Sequence, residues 1–214
     1  MQSLLIKNGH LIDPKNGVDG KFDVLVKEGK VSAIEKNITE SSDEVIDATG
    51  LVVTPGLVDL QVHFREPGRE DRETILTGSR AALKGGVTSA VAMPNSIPAA
   101  DNQSVIEFVI KRAKEVGLIN NYPTGATTQN QDGTRLAEMR ELKYSGAVAV
   151  TDDGFDVQDV EGRRPLPEQV VVDPVVPHQV AGAQPREHLG QRPPIQVATP
   201  LGQRGRGRGQ PAVG

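Results

Sequence analysis

Through the first fifty residues apolar and polar positions alternate in short runs: "LLIKNG", "FDVLVKEGKVSAIEKN" and "EVIDATGLVVTPG". Alternation with a period of two is the mark of a half-buried strand. In "DVLVKEGKVSAI" two such runs flank Glu28-Gly29, the composition of a tight hairpin turn. A small antiparallel β layer is therefore expected over residues 1–54. From Thr54 the period changes. "GLVDLQVHF" reads as a strand, and "DRETILTGSRAALKGG" as a helix with acidic residues in its first turn, apolar Ile75, Leu76, Ala82 and Leu83, and a Gly-Gly stop. "VTSAVAMP" gives the next strand. "DNQSVIEFVIKRAKEVG" gives a helix with an Asp/Asn cap and a stripe through Val105, Phe108, Val109 and Val116. A third strand ends near "YPTGATT", a helix is expected from about Thr134 to Tyr144, and "GAVAVTDDG" supplies a fourth strand ending in two carboxylates.

Strand and helix alternating at this spacing predict βα units on a parallel sheet, an α/β fold. About four units occupy residues 55–160, which suits either the first half of a (β/α)8 barrel or an open doubly wound sheet. Polar residues gather at the C-terminal ends of these strands: His63 and Arg65 on the first, Asn95 after the second, Asp152 and Asp153 after the fourth. In a barrel that edge carries the active site. Side chains alternate along a strand, so Asp59, Gln61, His63 and Arg65 are expected on one face, and Leu60, Val62 and Phe64 on the other beneath a helix. Two imidazoles at that spacing would clamp a metal. This chain offers His63 and the amide of Gln61, whose carbonyl serves zinc less well than imidazole nitrogen.

Taken singly, each residue has an ordinary explanation. His63 could be a partly buried histidine, Arg65 a surface cation, Asn95 a turn residue beside Pro94, and Asp152-Asp153-Gly154 a turn. Their shared position at strand ends is what packing gives no reason for, and it favours a site.

Composition narrows the chemistry. The 214 residues include no Cys, which removes disulfides and thiolate ligands, and no Trp. There is no charged segment leading into an apolar one at the start, and no apolar run near the ~18 residues needed to span a bilayer. A cytoplasmic protein is expected. The net charge of −4 conceals a break. Residues 1–160 hold 17 Lys and Arg against 24 Asp and Glu, whereas 161–214 hold 7 against 4, with no Lys, no aromatic residue and nine of the 15 prolines. That segment is expected to be a disordered tail.

The stretches "TPGLVDLQVHFREPG", "GSRAALKGGVTSAVAMPNSIPAADN", "YPTGATT" and "GAVAVTDDG" resemble the dihydroorotases of the long bacterial type, in the amidohydrolase superfamily. The resemblance runs over about residues 1–157, and its strand motif, "MPN" turn and "DDG" strand end come in the family's order. It implies a TIM barrel with a small N-terminal β-sandwich. It implies a zinc-dependent hydrolase of pyrimidine biosynthesis that interconverts N-carbamoyl-L-aspartate and L-dihydroorotate, with one or two zinc ions. His63 and Asp153 would then be metal ligands, Arg65 and Asn95 would bind substrate, and Asp152 would orient its surroundings.

The chain departs from that pattern in two ways. Gln61 stands where the family has a paired histidine ligand, so the metal site is expected to be weak or lost. Beyond about residue 157 the resemblance stops, and neither the family's later histidines nor its general acid/base aspartate can be placed. His178 and His188 lie among Pro174, Pro177, Pro185, Pro193 and Pro194 and are not expected to be ligands. "GQRGRGRGQP" has three Arg-Gly steps and no aromatics, too little for nucleic-acid binding. A reading-frame shift near codons 157–163 would account for the tail's composition. The expected function is that of a truncated dihydroorotase-like enzyme, weakly active or inactive. The competing expectation is a non-catalytic homologue that acts as a scaffold for aspartate transcarbamoylase.

Overall fold

A computed structural model describes residues 3–155 and 157, with the backbone of Gln169–Val170. The expectations placed on the tail, including disorder and the roles denied to His178 and His188, lie outside the described residues. The chain divides into two compact units, the first holding Met1–Thr54 and the second beginning at Pro55.

In the first unit β1 (Leu4–Asp13) pairs antiparallel with β2 (Val18–Lys27), which pairs antiparallel with β3 (Lys30–Glu35). The hairpin turn falls at Glu28 and Gly29, whose φ angles of 53° and 73° are both positive, as a two-residue type I′ turn requires. β4 (Glu44–Asp47) and β5 (Val52–Val53) instead run parallel to β1. The sheet is thus mixed, where a purely antiparallel layer was expected. Alternation of apolar residues reports which face is buried and is silent on strand direction. Ile6, Leu11, Val24, Ala48 and Val53 form one core cluster, and Leu5, Leu25 and Ile38 another. Buried Asp23 accepts hydrogen bonds from the amides of Asn8 (2.9 Å), at an irregularity in β1, and Ile38 (3.0 Å).

In the second unit β6 (Leu57–Val62), β7 (Val87–Ala92) and β8 (Asn120–Pro123) form a parallel sheet in chain order. The ladder continues past β8: Val148 N donates to Pro123 O (3.0 Å), Gly125 N to Ala149 O (2.9 Å) and Thr151 N to Gly125 O (3.0 Å). These bonds set β9 (Val150–Thr151) parallel beside β8, and β10 (Gln169–Val170) pairs antiparallel with β9.

Helix α1 (Ile75–Lys84) starts one residue after Thr74, whose hydroxyl accepts from Thr77 N in a reciprocal capping box. Asp71 and Glu73 consequently precede the helix, contrary to the acidic first turn expected. Helix α2 (Gln103–Val116) is capped by Asn102 and buries Val105, Ile106, Val109, Ala113 and Val116. Phe108, expected in the stripe, is 41% exposed. At 3.6 residues per turn it lies roughly 110° from the centre of the buried face. Helix α3 covers only Met139–Tyr144, not 134–144. The preceding residues make extended pairings with the loop after β8, with Gln129 N donating to Arg135 O (2.8 Å) and Ala137 N to Thr127 O (2.9 Å). Those bonds exclude a helical turn.

Phe64 joins Ile75, Ala90, Ala92, Val109, Ala113 and Val116 in one core cluster, with Val62 against it. Leu60, expected beneath a helix with them, is 72% exposed. Within β6, Val62 packs against this cluster, whereas residues 57–61 are exposed. No helix among the described residues is long and apolar enough to cross a membrane.

Candidate active site

β6, β7 and β9 all end at the same edge of the parallel sheet. At or just beyond these ends lie Gln61 near the end of β6, His63 and Arg65 after it, Asn95 after β7, and Asp152 and Asp153 after β9. Parallel strands in adjacent register bring these three ends together although 92 residues separate Gln61 from Asp153.

Asp153 stands at the centre. Its side chain is only 7% exposed, its backbone is left-handed (φ 49°), and its amide donates to Thr151 Oγ1 (3.0 Å). One carboxylate oxygen, Oδ1, accepts from Gln61 Nε2 (3.0 Å), and Oδ2 accepts from Asn95 Nδ2. Asn95 Oδ1 in turn lies 3.0 Å from His63 Nδ1. An ionised carboxylate only accepts, so the Asn95 amino group must face Asp153 and its carbonyl must face the imidazole. The donor in the second contact is then His63 Nδ1–H. His63 Nδ1 is also 3.6 Å from Asp153 Oδ2.

Arg65 reaches the cluster from the segment after β6, its Nη1 donating to the backbone carbonyl of Asn95 at 3.4 Å. The next residue anchors that segment. Buried Glu66 accepts from Ile75 N at the start of α1 (2.8 Å) and from Arg112 Nε on α2 (2.8 Å). The Glu66 carboxylate beside it raises the Arg112 guanidinium above its ordinary pKa. Arg65 therefore projects from a segment fixed to both helices.

Asp152 has a different part. It is 1% exposed and accepts from Thr127 N (2.8 Å), Thr128 N (3.1 Å) and Thr128 Oγ1 (2.6 Å). These bonds tie the loop after β8 to the end of β9. Strand alternation placed Asp152 and Asp153 side by side in sequence but could not say which would enter the cluster. The left-handed turn at Asp153 decides it.

Asp59, Gln61, His63 and Arg65 do not line up as one strand face. β6 ends at Val62, its register with β7 shifts between Asp59 and Val62, and Asp59 Oδ1 accepts from Gln61 N (3.0 Å). What sequence reasoning missed is the bridging position of Asn95 between His63 and Asp153. Its place after Pro94 at a strand end gave its location, and only the coordinates give its two partners.

A zinc ion asks for four ligands, three of them from the protein in a catalytic site. Among the described residues no group of three His, Cys, Asp or Glu side chains is placed to hold one. The cluster offers one imidazole and one carboxylate. The third group, Gln61, turns its nitrogen to Asp153, so its only ligand atom, the carbonyl oxygen, belongs to the other branch of the amide. The described residues thus fall short of a zinc site.

Residues 50–162 match the family model described as dihydro-orotase-like. The dihydroorotase of Aquifex aeolicus is 45% identical over 159 residues, covering 74% of this chain and 38% of that protein. The dihydroorotase of Trichlorobacter lovleyi is 49% identical over 160 residues, with the same coverage of 74% and 38%. Among solved structures, the L-hydantoinase (dihydropyrimidinase) of Arthrobacter aurescens matches at a TM-score of 0.60 and 27% identity, covering 71% of this chain and 33% of that one. This chain therefore spans less than two fifths of the length of the curated relatives it matches.

Proposed function

The chain belongs to the dihydro-orotase-like family, and from that premise we propose that its strand-end cluster is part of a cyclic amide hydrolase site. The reaction is the interconversion of N-carbamoyl-L-aspartate with a proton and L-dihydroorotate with water, a step of pyrimidine biosynthesis in the cytoplasm. The observation that carries this reading is the convergence of Gln61, His63, Asn95 and Asp153 from three strand ends, with Arg65 beside them.

Arg65 is the substrate-carboxylate binder. Its guanidinium is planar and always charged, one N–H is used on the backbone carbonyl of Asn95, and the others form a fork suited to a two-point contact. Asn95 has two roles, orienting His63 and steadying the Arg65 head. No general acid/base aspartate is identifiable among the described residues. Binding without appreciable turnover is the expected behaviour of the 214-residue chain.

Isothermal titration with N-carbamoyl-L-aspartate and with L-dihydroorotate tests this. Arg65→Ala should weaken binding about tenfold to a hundredfold, the range for losing a charge-assisted contact. Equal affinity in both proteins sinks the assignment.

A second reading draws support from Gln61. With an amide donor on Asp153, the chain suits a non-catalytic relative that supports a partner enzyme, aspartate transcarbamoylase. Co-elution with that enzyme in the absence of dihydroorotate hydrolysis supports the scaffold, and turnover by the isolated chain removes it.

A further inference from the structure

We propose that the carboxamides of Gln61 and Asn95 do at Asp153 what a metal ion would otherwise do, so that this half of the site keeps its geometry without metal. The inference concerns how the cluster holds together and does not depend on turnover.

A carboxylate only 7% exposed must have its charge compensated, because an ion removed from water without partners is costly. Here each oxygen has its own N–H donor: Gln61 Nε2 on Oδ1 at 3.0 Å and Asn95 Nδ2 on Oδ2. Hydrogen bonds to the ionised form stabilise it as a nearby cation does. The donors also fix direction. Gln61 comes from the end of β6 and Asn95 from beyond β7, so the two amides bracket the left-handed turn at Asp153 and join three strand ends. A cation placed on the same carboxylate would stand beside two N–H groups whose positive ends face it, and it would find the Gln61 carbonyl on the wrong branch. Gln61 is the residue that decides between the two states, since an imidazole there could turn a ring-nitrogen lone pair to an ion, whereas the Gln61 amide nitrogen facing Asp153 can only donate. On this account Gln61 is a positioning residue, and it substitutes for an ion in the fold of the site.

The test compares the full 214-residue chain with two variants, Gln61→His and Gln61→Leu, and uses His63→Asn as the reference for zinc bound elsewhere. Each protein is incubated with zinc and dialysed, its metal content is measured by plasma mass spectrometry, and its thermal unfolding is followed with and without EDTA. The wild-type chain should hold no more zinc than His63→Asn, with a Tm that EDTA leaves unchanged. Gln61→Leu should lower Tm by several degrees with no zinc to rescue it, because Asp153 loses a donor. Gln61→His should hold more zinc than His63→Asn, with an affinity roughly tenfold or more above wild type, the scale on which changes around metal ligands act. One equivalent of zinc in the wild type beyond that in His63→Asn, together with a Tm that falls on chelation, overturns the proposal. So does a Gln61→Leu chain as stable as the wild type.

Discussion

At the scale of single residues, two adjacent aspartates do different work because their backbones differ. Asp153 turns left-handed into the cluster, whereas Asp152 points inward and satisfies three donors of the loop after β8. Asp152→Ala leaves those donors buried and unpartnered, each a loss of about 1–3 kcal/mol, so urea denaturation should show a destabilisation of about 3 kcal/mol or more. A midpoint within error of the wild type would mean that the loop finds other acceptors. Surface carboxylates contribute to the acid response. Asn8 Nδ2 and the hydroxyl and amide of Thr49 all donate to Asp47, holding its carboxyl below the usual carboxylate value. A depressed pKa in the folded state means a contribution that is present above the ordinary value and lost as the pH falls through the lower, folded one. Thermal unfolding followed downward from pH 5 should show the wild type losing stability more steeply than Asp47→Asn. Parallel curves would show that Asp47 contributes nothing to the acid response.

At the scale of elements, α1 shows packing overruling propensity. Gly78 sits in the middle of that helix, where Ala would ordinarily be better by about 1 kcal/mol. A Cβ at Gly78 would stand 2.4 Å from two ring atoms of Phe64, the residue between His63 and Arg65. Gly78→Ala should therefore destabilise by about 1–3 kcal/mol in chemical denaturation, as overpacked cores do. It should also weaken ligand binding by shifting the ring that separates two site residues. A stabilised Gly78→Ala chain would show that Phe64 can move freely. The same helix illustrates the limits of reading caps from composition. Acidic residues at 71 and 73 suggested the first turn, but the reciprocal bonds of Thr74 and Thr77 set the start at Ile75.

At the scale of the whole molecule, the parallel sheet begins at β6, whose only partner among the described strands is β7. Leu57, Val58 and Leu60 on this edge strand are all more than half exposed. An edge strand with exposed apolar side chains is a template for association. Sedimentation velocity should show concentration-dependent self-association, reduced by Leu60→Lys, which places a charge on that edge. A monodisperse monomer at all concentrations, with cooperative unfolding by calorimetry, would refute this.

The sequence by itself determined the order and kind of the elements, since a hydrophobic period of two or of 3.6 is a local property of the chain. It also determined the Glu28-Gly29 turn and the candidates His63, Arg65, Asn95 and the Asp152-Asp153 pair, because residue chemistry at a strand end is visible without coordinates. Tertiary structure alone decided the rest. β4 and β5 run parallel to β1 because strand direction depends on partners far along the chain. The helix expected from 134 became α3 from Met139, because the intervening backbone bonds to the loop after β8. Gln61 looked like a ligand position with a poorer donor. Only the approach of Asp153, 92 residues away, shows the amide as a hydrogen-bond donor to a nearly buried carboxylate. A hydrogen bond needs a partner within about 3 Å, and no pattern along one strand can say what another strand will bring there.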